Sequence, residues 1–160
     1  MNKRLQTIMI ANGAGVFLAG LAVGFPFTFV ILEKIVLWPI PGEIDWKPPG
    51  DVRGWKMAHL EGILNGLTLI AVAAVGDRLT LSARSQAIVA WGLIITAWGN
   101  VIASTIGPIF GGRGLEFAGG NVANSLMYLL FVLAIITVIV AMILVLRGAL
   151  ASLAASDGED

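Results

Sequence analysis

Four long apolar runs alternate with short clusters of charged residues along the chain. No charged residue occurs from Leu5 to Leu32, from Ser85 to Gly112 or from Phe117 to Leu146. The remaining run, at about 56–76, has polar residues in its first half and becomes apolar afterwards. Since a helix needs about twenty residues to cross a bilayer, each run predicts a membrane-spanning helix.

The fold class predicted from this pattern is all-α, an integral-membrane bundle of four transmembrane helices in one domain over residues 1–150. The predicted spans are 5–34, 56–76, 85–110 and 122–147. Residues 38–55 contain four prolines and three glycines, which break helices, so this segment is the main predicted loop outside the membrane. Residues 151–160 are expected to form a disordered tail. We expect the protein to reside in a bacterial inner membrane.

The composition supports a membrane protein and excludes several kinds of site. Hydrophobic residues make up 58% of the chain and charged residues only 12%, about half the charged fraction of an ordinary soluble domain. The net charge is zero, so no basic surface is available for nucleic acid. The absence of cysteine excludes disulfides, thiolate metal sites and thiol nucleophiles. The single histidine, His59, cannot form a zinc site by itself.

One face of the second predicted helix combines His59 with two glycines. At about 100° per residue, Gly62 and Gly66 lie within about 60° of His59. A planar macrocycle stacked on a ligating histidine needs a flat slot of this kind, because larger side chains would collide with it. The same Gly-x-x-x-Gly spacing is also a helix-packing motif of membrane proteins, with His59 as an interfacial residue. The spacing alone leaves both interpretations open.

Glu61 and Asn65 share a different face of this helix, more than about 100° from His59. His59 and Asn65 of one helix therefore cannot point at one small ligand. Either they serve two separate sites, or one site lies between chains and each chain contributes a different face. An ionisable residue inside a membrane is costly and indicates function. Glu61 is interpreted as reaching headgroups or a loop cation such as Arg113, or as a proton or cation site.

The third predicted helix carries a polar stripe at intervals of four residues. Its members are Gly92, Thr96, Asn100 and Ser104. On an otherwise apolar helix, such a stripe faces protein or a cavity and not lipid. It indicates either a polar pocket or ordinary hydrogen bonding between helices. At the start of the fourth helix, Asn121 or Asn124 is the expected N-cap.

Three segments of the chain, taken in order, resemble the styrene oxide isomerase family. They are GWKMAHLEGILNG at 54–66 followed by IAVA at 70–73, WGNV at 98–101, and RGLEF at 113–117 together with Asn121. The chain length and the four-span layout agree as well. The resemblance covers most of the chain.

The resemblance implies a homotrimer that binds haem b between adjacent subunits, with His59 as the axial iron ligand. It further implies that ferric haem polarises the oxygen of a small, apolar, aryl-substituted epoxide that enters from the lipid. The benzylic C–O bond opens, a hydride migrates to the neighbouring carbon, and an aldehyde leaves without net redox change, which is a Meinwald rearrangement. One histidine and no cysteine per chain favour five-coordinate iron with its sixth position open to substrate.

The resemblance also assigns roles to further residues. Asn65 matches a family asparagine that helps to position the epoxide. The residues expected to line the pocket are Thr96, Asn100 and Ser104. The cations expected to neutralise the haem propionates, since they lie in loops or at span ends, are Lys56, Arg53 and Arg113.

Two positions depart from the family pattern. Counting from Trp98, family members carry an aspartate where this chain has Thr96 and a tyrosine where it has Ser104. Hydroxyl groups thus replace a carboxylate and a phenol, which are better at donating protons and stabilising charge. Two further interpretations therefore stay open. One is a membrane haem protein for electron transfer or gas binding, and the other is a small transporter in which Glu61 binds protons or a cationic substrate.

Overall fold

The computed structural model describes residues 1–117 and 121–156. Its four long helices are α1 (Lys3–Leu32), α2 (Val52–Val75), α3 (Ala83–Phe110) and α4 (Val122–Ser156). All four are long and apolar enough to cross a membrane. The prediction of an all-α chain with four spans is therefore confirmed.

A short hairpin follows α1, in the segment predicted to be an irregular loop. β1 (Ile35–Val36) pairs antiparallel with β2 (Glu43–Ile44). At the base of the hairpin, Lys47 forms an ion pair with Glu33, the residue that ends α1. Each strand has only two residues, which is too short for an alternation of apolar and polar positions to predict it.

A polar side chain begins each of the four helices. In each case its oxygen accepts a hydrogen bond from a backbone N–H in the first turn, which otherwise has no partner inside the helix. The caps are Asn2, Asp51, Ser82 and Asn121. Because Asp51 caps α2, this helix begins at Val52, before the predicted start at residue 56. The prediction of Asn121 as the N-cap of α4 is confirmed.

α4 continues to Ser156, beyond the predicted end of its span at residue 147. Its last turns are tied to the connection between α2 and α3. The backbone N–H of Thr80 donates to the Gly148 carbonyl at 3.2 Å, and the Thr80 hydroxyl lies 2.8 Å from Ser152 Oγ. The expectation of disorder from residue 151 is therefore wrong for residues 151–156, which are helical. Residues 157–160 lie outside the described residues.

The helices pack as two pairs. α1 packs mainly against α2, α3 packs mainly against α4, and contacts between α2 and α3 join the pairs. The shared core includes Met9, Val16, Leu69, Leu93, Ile94 and Val101. Most apolar side chains of α4 point away from the core and are exposed. Such a surface requires lipid or another protein chain as its neighbour.

Candidate functional site

His59 lies on the face of α2 that packs against α1, and it is half-buried. Its Nδ1 atom lies 2.8 Å from the carbonyl oxygen of Gly20. Because a carbonyl oxygen only accepts hydrogen bonds, Nδ1 carries the proton and donates it, and Nε2 keeps its lone pair. Nε2 makes no hydrogen bond to any residue within 1–117 or 121–156. The ring of Phe27 stacks on the imidazole with centroids 5.9 Å apart, which fixes its orientation further.

A histidine in this state is suited to bind a metal ion. Metal-ligating histidines usually donate their other ring N–H to a backbone carbonyl or a carboxylate, as His59 does to Gly20. Within the described part of the chain, no group of three or more His, Asp or Glu side chains is placed to hold a metal ion. Within the described residues of one chain, His59 can therefore supply one ligand to a metal ion.

The slot predicted beneath His59 is closed. A Cβ atom on Gly62 would lie 2.7 Å from Gly20 N, and one on Gly66 would lie 2.7 Å from the Gly13 carbonyl oxygen. Only glycine allows α1 and α2 to approach this closely. The backbone of α1 fills the space beside Gly62 and Gly66 that was expected for the macrocycle, and contact of these glycines with a haem stays a prediction. The alternative interpretation, a helix-packing motif, is confirmed.

Asn65 lies on another side of α2, towards α3. Its Nδ2 atom donates to Glu61 Oε2 at 2.7 Å and to the Glu61 carbonyl oxygen at 2.8 Å. Its Oδ1 atom lies 3.4 Å from Asn100 Nδ2, a long hydrogen bond. The prediction that His59 and Asn65 belong to different faces is confirmed, since His59 contacts α1 and Asn65 contacts α3.

A cavity of about 370 Å³ lies beside this amide network, between α2, α3, α4 and the loop after α3. This volume is near the lower end of the range of about 300–1,000 Å³ for small-molecule pockets. The lining residues are Met57, Glu61, Asn100, Gly114, Leu115, Tyr128, Phe131, Val132 and Ile135. All three segments that carry the family resemblance contribute to this lining. A mostly apolar chamber with a few polar atoms suits a small apolar ligand that has one polar centre.

Of the three residues predicted to line the pocket, the structure places only Asn100 in the cavity wall. Thr96 faces α4, where its Oγ1 lies 3.1 Å from the Ala134 carbonyl oxygen and 2.9 Å from Thr137 Oγ1. Ser104 is fully buried, does not line the cavity, and its Oγ has no hydrogen-bond partner among the described residues. Thr96 and Ser104 thus do not line this cavity, and for Thr96 the alternative of hydrogen bonding between helices is confirmed.

Two residues of α4 that shape the cavity were not predicted. Tyr128 lines it directly. Asn124 accepts hydrogen bonds at Oδ1 from the backbone N–H groups of Arg113 and Gly114, both at 2.8 Å, and donates from Nδ2 to the Glu116 carbonyl at 2.7 Å. These bonds hold the loop after α3 against the cavity. The signal in the sequence was an asparagine one turn inside a helix that follows a glycine-rich loop.

The three cations expected near a haem are exposed at the end of the bundle where α2 begins and α3 ends. They are Arg53, Lys56 and Arg113. None of them forms an ion pair with another residue of the ranges 1–117 and 121–156. The expected contact between Arg113 and Glu61 is not found among the described residues, where Glu61 accepts a hydrogen bond from Asn65. The three cations are thus available to an anionic group at this surface.

No curated protein matches the chain. The family model described as styrene oxide isomerase matches residues 5–150, a range that contains His59, the amide network and every residue of the cavity lining. Because this match spans nearly the whole chain, the protein belongs to the styrene oxide isomerase family, which is a family of isomerases.

Proposed function

We propose that this protein is a haem-dependent membrane isomerase that converts small aryl-substituted epoxides, such as styrene oxide, to aldehydes by the Meinwald rearrangement. The observation that carries the proposal is the state of His59. Its Nδ1 is hydrogen-bonded to the Gly20 carbonyl and its Nε2 has no partner among the described residues, which is the arrangement of a metal-ligating histidine. The family match supplies the kind of reaction.

In this proposal His59 Nε2 would hold the iron of haem b. Ferric haem, when bound, supplies a Lewis acid for the epoxide oxygen. The hydrogen bond to Gly20 fixes the tautomer and the orientation of the imidazole. The macrocycle has to lie outside the interface of α1 and α2, since Gly62 and Gly20 close that interface. The proposed partners of its propionates are Arg53, Lys56 and Arg113.

The proposed assembly is a homotrimer with haem between adjacent subunits. His59 and the cavity lie on different sides of α2, so one chain cannot bring both to the same ligand. An adjacent copy removes this difficulty, because its own histidine can serve the cavity of the first chain. The exposed apolar side chains of α1 and α4 supply surface for contacts between copies.

The cavity is the proposed substrate chamber. Apolar side chains such as Phe131 and Ile135 accept the aryl group. Asn100 uses one Nδ2 hydrogen towards Asn65, and its second hydrogen is available to the epoxide oxygen. Asn65, whose two amide hydrogens are engaged by Glu61, acts by positioning its neighbours rather than by touching the epoxide.

Absorption spectroscopy of the purified protein, supplied with haemin in detergent, tests the cofactor. The wild type is expected to show a Soret band that His59→Ala loses and that added imidazole partly restores. Leu60→Ala is the matched control, because Leu60 is the next residue of α2 and its side chain is exposed. This control should keep the band. A wild-type protein that stays colourless overturns the assignment of haem.

Product analysis tests the reaction. Ferric protein incubated with styrene oxide is expected to release phenylacetaldehyde. Reduction with dithionite should slow turnover, because ferrous iron is the weaker Lewis acid. A Soret band without phenylacetaldehyde would favour electron transfer or gas binding. Absence of both the band and the product would favour the transporter interpretation, which is based on Glu61.

A further inference from the structure

The cavity lining contains two side chains that the proposed function has not used, Glu61 and Tyr128. Among the described residues of the lining, Glu61 carries the one carboxyl group and Tyr128 the one hydroxyl group. An ionisable group within a membrane span is energetically costly, and apolar side chains at these two positions would avoid that cost. We infer that Glu61 and Tyr128 are catalytic residues of the epoxide isomerisation, an inference that rests on the proposed function.

The polar stripe of α3 does not supply these groups to the cavity. Thr96 Oγ1 is engaged with Thr137 and with the carbonyl of Ala134, and Ser104 is not part of the lining. A carboxyl group and a phenol reach the cavity instead from α2 and α4.

Glu61 is held in place by the amide network. Its Oε2 atom accepts a hydrogen bond of 2.7 Å from Asn65, and Asn65 is in turn contacted by Asn100 from α3. Oε1 accepts no hydrogen bond from the described residues. One carboxyl oxygen thus fixes the side chain, and the other is available to a ligand in the cavity.

Tyr128 is fixed by its ring and free at its hydroxyl. Its ring packs edge-on against Phe117 with centroids 5.9 Å apart and planes inclined by 71°. Its hydroxyl makes no hydrogen bond to any residue of 1–117 or 121–156. A phenol that lines an apolar chamber and lacks a protein partner is suited to donate its hydrogen to an oxygen of the ligand.

The two groups match the two charges that form when the epoxide opens. As the benzylic C–O bond breaks, its electron pair goes to the oxygen, and Tyr128 donates a hydrogen bond to that oxygen. Positive charge forms on the benzylic carbon, where the Glu61 carboxylate stabilises it. A hydride then moves from the neighbouring carbon to the benzylic carbon and a C=O bond forms. Both side chains return unchanged, and in a low dielectric such charge stabilisation is strong.

Glu61→Gln and Tyr128→Phe in the haemin-loaded full chain test this inference. Each is expected to lower kcat/KM for styrene oxide about 100-fold, the usual effect of removing one group that stabilises transition-state charge. Glu61→Asp keeps the carboxyl group and should retain more activity than Glu61→Gln. Glu116→Gln is the matched control, since Glu116 is an exposed carboxyl in the loop after α3, and should keep the wild-type value.

Infrared spectroscopy gives a readout that needs no turnover. The probe is acetophenone, an unreactive aryl ketone of the same size as styrene oxide. In the wild type, the Tyr128 hydroxyl should lower the frequency of the bound carbonyl stretch. In Tyr128→Phe the band should move to higher frequency, while Glu116→Gln should leave it where it is in the wild type.

The outcomes separate this inference from the proposed function. If the wild type shows a Soret band and turns over styrene oxide, but both variants keep its kcat/KM, the roles of Glu61 and Tyr128 are overturned and the proposed function stands. An acetophenone band that is identical in the wild type and Tyr128→Phe overturns the role of Tyr128. A wild type without turnover overturns the proposed function, and with it the inference.

Discussion

The two sides of α2 use small and polar residues in opposite ways. Towards α1, glycines bring two backbones into contact, and the polar group of this side, His59, is fixed by a backbone carbonyl. Towards α3 and α4, an amide network borders a cavity that no side chain of the described residues fills. The first side is rigid and closed, whereas the second leaves space for a ligand. One helix thus separates His59 from the cavity.

This difference predicts different responses to mutation. On the closed side, added volume has no space to occupy, so the helix pair has to move apart. On the cavity side, stability depends on a few hydrogen bonds that hold the walls. Substitutions there should have smaller effects on unfolding.

The largest effect is expected for Gly62→Ala on the closed side. Its Cβ atom would lie 2.7 Å from Gly20 N, so α1 and α2 would have to separate. We expect a loss of about 3 kcal/mol in the free energy of unfolding, measured by denaturation in detergent followed by circular dichroism. Gly99→Ala in α3 is the matched control, since its Cβ atom would meet the Leu130 carbonyl oxygen at an ordinary 3.5 Å. Equal losses for both variants would contradict the close contact of α1 and α2.

Asn124→Ala should have the next largest effect, on the wall of the cavity. The substitution removes three hydrogen bonds that hold the loop after α3. We expect a loss of about 2 kcal/mol in the free energy of unfolding, with faster amide exchange at Arg113 and Gly114. Asn121→Ala removes only a helix cap and should cost about 1 kcal/mol without changing that exchange. Unchanged exchange in Asn124→Ala would show that another contact orders the loop.

Thr96→Val and Ser104→Ala compare two buried hydroxyl groups of one stripe. Thr96→Val keeps the shape of the side chain but removes its bond to α4, so it should cost about 1 kcal/mol of unfolding free energy. Ser104→Ala removes a buried hydroxyl that has no partner among the described residues, so it should leave stability equal or higher. Denaturation of the two variants beside the wild type checks the order. A larger loss for Ser104→Ala would reveal a partner for that hydroxyl.

The number and order of the helices could be predicted because charge-free runs of this length have few solutions in a bilayer other than a helix. Helical geometry likewise predicts that His59 and Asn65 lie on different faces of α2. The same geometry does not predict which neighbour packs against a given face of a helix. The glycines beside His59 are compatible with a flat ligand and with a second backbone, and only the position of α1 decides between them.

The cavity could not be predicted for a related reason. α4 is apolar around its whole circumference, so its sequence contains no pattern that tells which side faces α3. Whether Tyr128 faces lipid or protein therefore depends on packing alone. The same holds for Thr96, whose spacing places it on the stripe of Asn100 although its hydroxyl is bound by α4.

The smallest effect on stability is expected at the hairpin, which is exposed to water. Lys47 hydrogen-bonds Glu33 at 2.8 Å, and this bond, together with the charge of Lys47, lowers the pKa of Glu33 below its ordinary value. Lys47→Ala should therefore raise the pKa of Glu33, measured by NMR titration of its carboxyl carbon. Because the folded-state pKa is lowered, any stabilisation is present above the ordinary pKa of glutamate and is lost as pH falls through the folded-state value.

Lys34→Ala is the matched control, because it breaks the neighbouring ion pair with Glu43 and leaves Lys47 in place. The titration of Glu33 should then match the wild type. Glu33 is fully exposed, so neither variant should change the unfolding midpoint measurably at neutral pH. If Lys34→Ala moved the pKa of Glu33 as much as Lys47→Ala did, the two ion pairs would form one coupled cluster. The hairpin would then be held as a unit, as the closed side of α2 is, although by charge instead of packing.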